Sequence, residues 1–128
     1  MLDHVSIGVT DIVTARRFYD SVLAPLGYKC LSADSDAIGY GRDSIALWIL
    51  KIPQSTVQEE RRGLHFCLQA PSRHSVDAFH RKALAVGGFD NGRPGVRADY
   101  GPDYYAAFVV DPDGYRLEAY CGAPAASD

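Results

Sequence analysis

The chain has 128 residues, 47% of them hydrophobic and 23% charged, which supplies apolar material for one core of ordinary size. Thirteen Lys and Arg against sixteen Asp and Glu leave a net charge of -3 with no basic run, which argues against a nucleic-acid partner. No apolar run reaches the roughly 20 residues of a membrane span, and no basic-then-apolar leader opens the chain, so the cytoplasm is the expected compartment.

The first segment, "DHVSIGVTD", alternates: Val5, Ile7 and Val9 point one way and His4, Ser6 and Gly8 the other, as in a half-buried strand. Ile12, Ala15, Phe18, Tyr19, Val22 and Leu23 then recur at helical spacing, with Asp11 or Thr14 as N-cap and Gly27 as stop. Three short runs, "YKCLSAD", "AIGYG" and "SIALWILKI", follow between turn residues and read as strands. The polar segment 53–62 reads as a linker.

Alternation resumes in "GLHFCLQA", where Phe66 and Leu68 oppose His65, Cys67 and Gln69. A second helix is predicted from Val76, Phe79, Ala83, Leu84 and Val86, capped by Ser72 or Ser75 and stopped at Gly87 and Gly88. A weak strand near Phe89, a Gly/Pro-rich loop over 91–102 and a hairpin, "YYAAFVV-DPDG-YRLEAYC", complete the pattern. Residues 122–128 form a short tail expected to fray. Cys30, Cys67 and Cys121 contain no C-x-x-C pair and suggest neither a disulfide framework nor a thiolate zinc site.

The two halves are copies. An ungapped offset of 61 residues lays His4 on His65, Phe18 on Phe79, Leu23 on Leu84 and Gly27 on Gly88. The chain thus reads as one α+β domain over 1–128, built from tandem βαβββ modules at 1–52 and 63–121. A pseudo-twofold packing of the modules would make His4 and His65 counterparts. A four-residue turn over Asp111 to Gly114 would pair Val110 with Tyr115, setting Ala107 opposite Glu118 and Tyr105 opposite Tyr120. A mid-strand carboxylate between Leu117 and Ala119 needs pairing, solvation or a cation.

Taken together, "DHVSIGVTD", "ARRFYDSVLAPLGY", "LHFCL" and "DPDGYRLEAY", in this order and spacing, resemble the vicinal oxygen chelate superfamily, which includes glyoxalase I, bleomycin resistance proteins, extradiol dioxygenases and fosfomycin-resistance transferases. The resemblance covers nearly the whole chain. It implies two modules curled into a cupped mixed sheet, with four inward positions around a divalent metal. Carried onto this sequence, those positions are His4, Trp48, His65 and Glu118, and Trp48 replaces a ligand with an apolar wall. The two histidines and the carboxylate form a facial set suited to Fe2+, Mn2+, Zn2+ or Ni2+. The implied activity is a metal-assisted lyase, isomerase, transferase or dioxygenase step on a small oxygen-bearing molecule. The alternative is a metal-free binding or sequestering protein.

Arg97 and Tyr100 in the long loop, with Tyr105 on the hairpin and Trp48, are the expected substrate contacts. Cys67 reads as a buried thiol, and His74 and His80 as solvated helix residues. The resemblance also implies a homodimer.

Overall fold

The computed structural model describes residues 1–54 and 63–125. Most of the expected linker, 55–62, and the last three residues of the tail lie outside the described part. Strand β1 (Val5–Val9) leads into helix α1 (Ile12–Leu23) and a short 3-10 turn (Ala24–Leu26), followed by β2 (Lys29–Ala33), β3 (Ala37–Gly41) and β4 (Ile45–Lys51). The second half repeats this order with β5 (Phe66–Gln69), α2 (Arg73–Ala85), β6 (Phe89–Val96), β7 (Tyr105–Val110) and β8 (Arg116–Cys121).

Both helices start where a short oxygen-bearing side chain meets the orphan amides of the first turn. Asp11 Oδ1 accepts from the amides of Val13 at 3.1 Å and Thr14 at 3.0 Å, and Ser72 Oγ accepts from that of Ser75 at 3.1 Å. The caps are therefore Asp11 and Ser72, not Thr14 and Ser75. The helices lie against each other, and their apolar stripes, Phe18, Val22 and Leu23 on α1 and Val76, Phe79 and Ala83 on α2, join one continuous core.

Two four-stranded mixed sheets complete the α+β fold and form a cup. Their orders are β1-β4-β3-β2 and β5-β8-β7-β6, so each strand of one half has its counterpart at the same place in the other. The first and last strands of each half pair in parallel, and the remaining neighbours are antiparallel. Strand β6 extends well into the expected loop, reaching Val96 through irregular register at Asp90, Gly92 and Gly95. These bulges hide period-2 alternation from the sequence. No helix among the described residues is long and apolar enough to cross a membrane.

The closing hairpin differs from expectation by one residue. Asp111 and Tyr115 are themselves a bonded pair, with the Asp111 amide donating to Tyr115 O at 2.8 Å, and Gly114 N donates to Asp111 O at 3.0 Å. The loop proper is Pro112, Asp113 and Gly114, and Gly114 takes φ 98°, the left-handed conformation that ends this kind of turn. Val110 consequently pairs with Arg116, Phe108 with Glu118, Ala106 with Tyr120 and Tyr105 with Cys121. Ala107 is thus not opposite Glu118; it stands across from Ala119 in the core.

The Asp111 carboxylate organises this turn. Its Oδ1 accepts from the amides of Tyr115 at 2.7 Å and Asp113 at 3.0 Å, and its Oδ2 accepts from the buried Tyr19 hydroxyl on α1. Tyr115 reaches across as well: its hydroxyl donates to Gly8 O at 2.9 Å and accepts from Gly8 N at 3.2 Å. Burial raises the Asp111 pKa from 3.8 to about 6, against the lowering effect of its hydrogen bonds.

The folded state therefore holds this proton more tightly than the unfolded chain, and native stability falls as pH rises from 3.8 through about 6. Asp111→Asn keeps the amide acceptor and cannot titrate. Urea unfolding of both proteins from pH 4 to pH 7 should show the wild type losing roughly 2 kcal/mol relative to the variant. Parallel stability curves would show that Asp111 ionises without resistance from the fold.

Candidate functional site

Register decides which side chains share the open face of each sheet, because partners directly across a ladder lie on the same side. In the first sheet Ser6, Trp48 and Gly39 stand in one row across β1, β4 and β3. In the second sheet Cys67, Glu118 and Phe108 occupy the corresponding row across β5, β8 and β7. Trp48 is thus the counterpart of Glu118. A Cβ at Gly39 would lie 3.0 Å from Trp48 Cζ3, so the glycine makes room for the indole ring.

Around Glu118 the second sheet builds a polar cluster. The Glu118 side chain is only 5% exposed, and that of His65, just before β5, is 51% exposed. His65 Nε2 lies 3.1 Å from Glu118 Oε1, and the Tyr104 hydroxyl donates to Glu118 Oε2 at 2.6 Å. Each carboxylate oxygen thus has a partner, which offsets the cost of burying a charge in mid-strand. Tyr104 stacks on Tyr120 with ring centroids 4.1 Å apart. Burial and the facing Glu118 raise its pKa well above the usual phenol range, so its proton stays on the donor oxygen.

Cys67 is exposed, not buried as expected, because β5 is an edge strand. Its thiol nevertheless sits against Glu118 and Tyr104, and desolvation followed by the Glu118 charge pushes its pKa from 9.0 up to about 11.

The expected metal set is brought together only in part. His65 and Glu118 meet, whereas His4 Nδ1 pairs with its neighbour Asp3 Oδ2 at 2.8 Å. Among the described residues, no three His, Cys, Asp or Glu side chains are placed to hold one ion. A donor pair of imidazole and carboxylate nevertheless fits a borderline divalent ion chemically.

Among the expected substrate contacts, Arg97 and Tyr100 line a cavity of about 320 Å³ with Asn91, Asp99 and Phe108. Arg97 is held by the carbonyls of Gly95 at 2.9 Å and Arg93 at 2.6 Å, and its guanidinium lies 5.3 Å from the Phe108 ring centroid. Tyr100 is 71% exposed, and its ring stands 5.2 Å from that of Tyr104. Tyr105 faces the other way, toward α2, where its hydroxyl donates to Asp77 Oδ1 at 2.6 Å. The one-residue shift in the hairpin gives the place beside Glu118 to Tyr104 and Phe108, neither of which sequence reasoning selected. The Asp-Pro-Asp-Gly run, read as a three-residue loop ending in a left-handed glycine, carries that signal.

His80 also departs from expectation. It is buried, at 8% exposure, with Nε2 2.8 Å from Asp90 Oδ1, and ties α2 to β6.

Comparison with known proteins agrees with this fold. No protein-family model matches the chain. It is 30% identical over 122 residues to uncharacterized protein YqjT of Bacillus subtilis, covering 91% of this chain and 95% of that protein. The crystal structure of a glyoxalase/bleomycin resistance protein from Albidiferax ferrireducens superposes with a TM-score of 0.78 at 30% identity, covering 92% of this chain and 95% of the other. A glyoxalase-related enzyme from Fulvimarina pelagi shares the fold at a TM-score of 0.73 and 17% identity, over 94% and 86% of the two chains. The fold and the paired open faces define a vicinal oxygen chelate protein. Within that superfamily the chain belongs to the glyoxalase/bleomycin resistance group.

Removing the Glu118 charge should lower the pKa of Cys67. In the metal-free protein, Glu118→Gln should speed iodoacetamide labelling of Cys67 at pH 8 several-fold, read by peptide mass spectrometry. An unchanged rate would place the thiol outside the influence of Glu118.

Proposed function

We propose that the protein is a cytoplasmic, divalent-metal-dependent enzyme of glyoxalase/dioxygenase type that acts on a small oxygen-bearing molecule. The observation that carries this reading is the His65–Glu118 pair, 3.1 Å apart on the open face of the second sheet, with the carboxylate buried in mid-strand. In the proposed centre His65 and Glu118 come from one chain of a homodimer and His4 from the other. Both His4, just before β1, and His65, just before β5, stand at exposed sheet edges, where a second copy can approach. An ion of the Fe2+, Mn2+, Zn2+ or Ni2+ class bound there supplies Lewis acidity toward substrate oxygens.

The chain's own groups do the positioning. Tyr104 fixes one oxygen of Glu118, leaving the other directed to His65. Arg97, pinned by two carbonyls, and Tyr100 offer a cationic and an aromatic surface beside Phe108 for the substrate. Trp48, in the place that mirrors Glu118, makes the opposite wall apolar. Tyr105 stays in the reading as a residue that braces this hairpin from the α2 side.

A second reading, a metal-free binding or sequestering protein of bleomycin-resistance type, draws on the same cluster, since Tyr104 and His65 already satisfy both Glu118 oxygens.

Metal analysis of protein purified without chelator or metal-binding tag separates the two. The enzyme reading expects about one ion per site, lost in His65→Ala and Glu118→Ala variants that keep the fold, and a metal-dependent rise in Tm. Less than a tenth of an equivalent, with no change in Tm, would favour the sequestering protein.

A further inference from the structure

A mostly apolar cavity lies alongside β5, bordered by Phe66 and Leu68 of that strand and reached by His65 and Cys67. It runs between the two halves, about 370 Å³ in volume, walled by Val5, Leu23 and Leu47 from the first half and Phe66, Leu68 and Leu117 from the second. Tyr28 and Tyr40 also line it, but their hydroxyls are engaged elsewhere. Tyr40 donates to Asp20 Oδ1 at 2.9 Å, and Tyr28 reaches Gln69 O at 3.4 Å. The remaining polar side chains in the wall are His65 and Cys67. Both also border the polar cluster, His65 by its bond to Glu118 and Cys67 by its contact with Glu118 and Tyr104.

A cavity of this size exceeds a packing defect. Roughly 150 Å³ of apolar space holds a benzene-sized ligand, so this one has room for about twice that. Pockets that bind small molecules fall in the same range and share this composition, mostly apolar with a few polar groups at one end. Both halves of a single chain supply the walls, and the polar end touches the cluster through His65 and Cys67.

We infer that the substrate is amphipathic: an oxygen-bearing head at His65 and Glu118, and an unbranched or cyclic hydrocarbon tail of up to about ten carbons in this cavity. The inference rests on the reading of the His65–Glu118 cluster as the substrate's polar end, and it adds the class of molecule. Leu47 and Leu68 set the tail length, since they face each other's halves across the cavity and are half-buried.

The test is calorimetric titration of wild-type protein with primary n-alkanols from butanol to decanol. Affinity should rise about fourfold per added methylene and then level off when the cavity is full. Leu68→Trp, and the milder Leu47→Phe if the first variant fails to fold, should bring that plateau to shorter chains. Glu118→Gln should weaken every alkanol by the same factor and leave the slope per methylene intact. A flat series in the wild type overturns the inference. So does a pair of cavity-filling variants that alter the dimer equilibrium without moving the plateau, because a second copy would then fill the space. If wild-type protein retains the methylene slope but binds no metal, the metal reading fails and the tail pocket stands.

Discussion

One carboxylate joins the turn, the strand register and the docking of the two halves. Asp111 accepts two amides of its own turn, which closes the β7–β8 loop after three residues and thereby sets the ladder in which Phe108 faces Glu118. The same carboxylate receives the Tyr19 hydroxyl from α1, and the neighbouring Tyr115 clasps the backbone of β1 at Gly8. Because side chains alternate with period 2, a turn one residue longer or shorter would exchange the core face of β7 for the open face. Tyr104 would leave Glu118, and Ala107 would take the place of Phe108. The chemistry of the cup thus depends on a turn at the far end of its strands.

Duplication explains the symmetry of the fold, and divergence explains the site. The rows Ser6, Trp48, Gly39 and Cys67, Glu118, Phe108 are positional equivalents in two copies of one unit. In the first, a large ring lies over a glycine and buries apolar surface; in the second, a carboxylate is held by a phenol and an imidazole. Duplication has thus left a cup that is polar on one wall and carries an indole on the other, where two identical copies would have made it symmetric.

Much of this was legible in the sequence because it depends on local patterns. Alternation in "DHVSIGVTD" and "GLHFCLQA" marked the strands, the helical stripes followed from spacing, and side-chain chemistry narrowed each N-cap to two candidates, between which the structure decides. The offset that laid His4 on His65 also anticipated the repeated strand order. The remainder depends on long-range geometry. Register in the last hairpin turned on whether Gly114 adopts positive φ, which composition does not state. Strand β6 was obscured by its bulges, and His80 looked solvated because its neighbours Arg81 and Lys82 are exposed while its own ring turns inward to Asp90. The meeting of His65 with Glu118 depends on the parallel pairing of β5 with β8, whereas His4 turns to its chain neighbour Asp3.

The energetics of Glu118 say why the cluster is more than packing. Its core-side neighbours on β8, Leu117 and Ala119, are apolar and nearly inaccessible, and an apolar side chain at position 118 would continue that pattern without any desolvation cost. Keeping a carboxylate there requires two donors, and each has its own cost: Tyr104 gives up free rotation of a large ring, and its stacking on Tyr120 and proximity to Tyr100 hold it in place. A set of groups that is mutually satisfied yet adds little to stability relative to hydrocarbon is not accounted for by packing alone. The nearby cavity points in the same direction, since a void of that volume weakens the seam between the halves unless a ligand restores the missing contacts. Polar cluster and apolar cavity meet at His65, which lines the one and pairs with Glu118 in the other, so the two departures from efficient packing are contiguous.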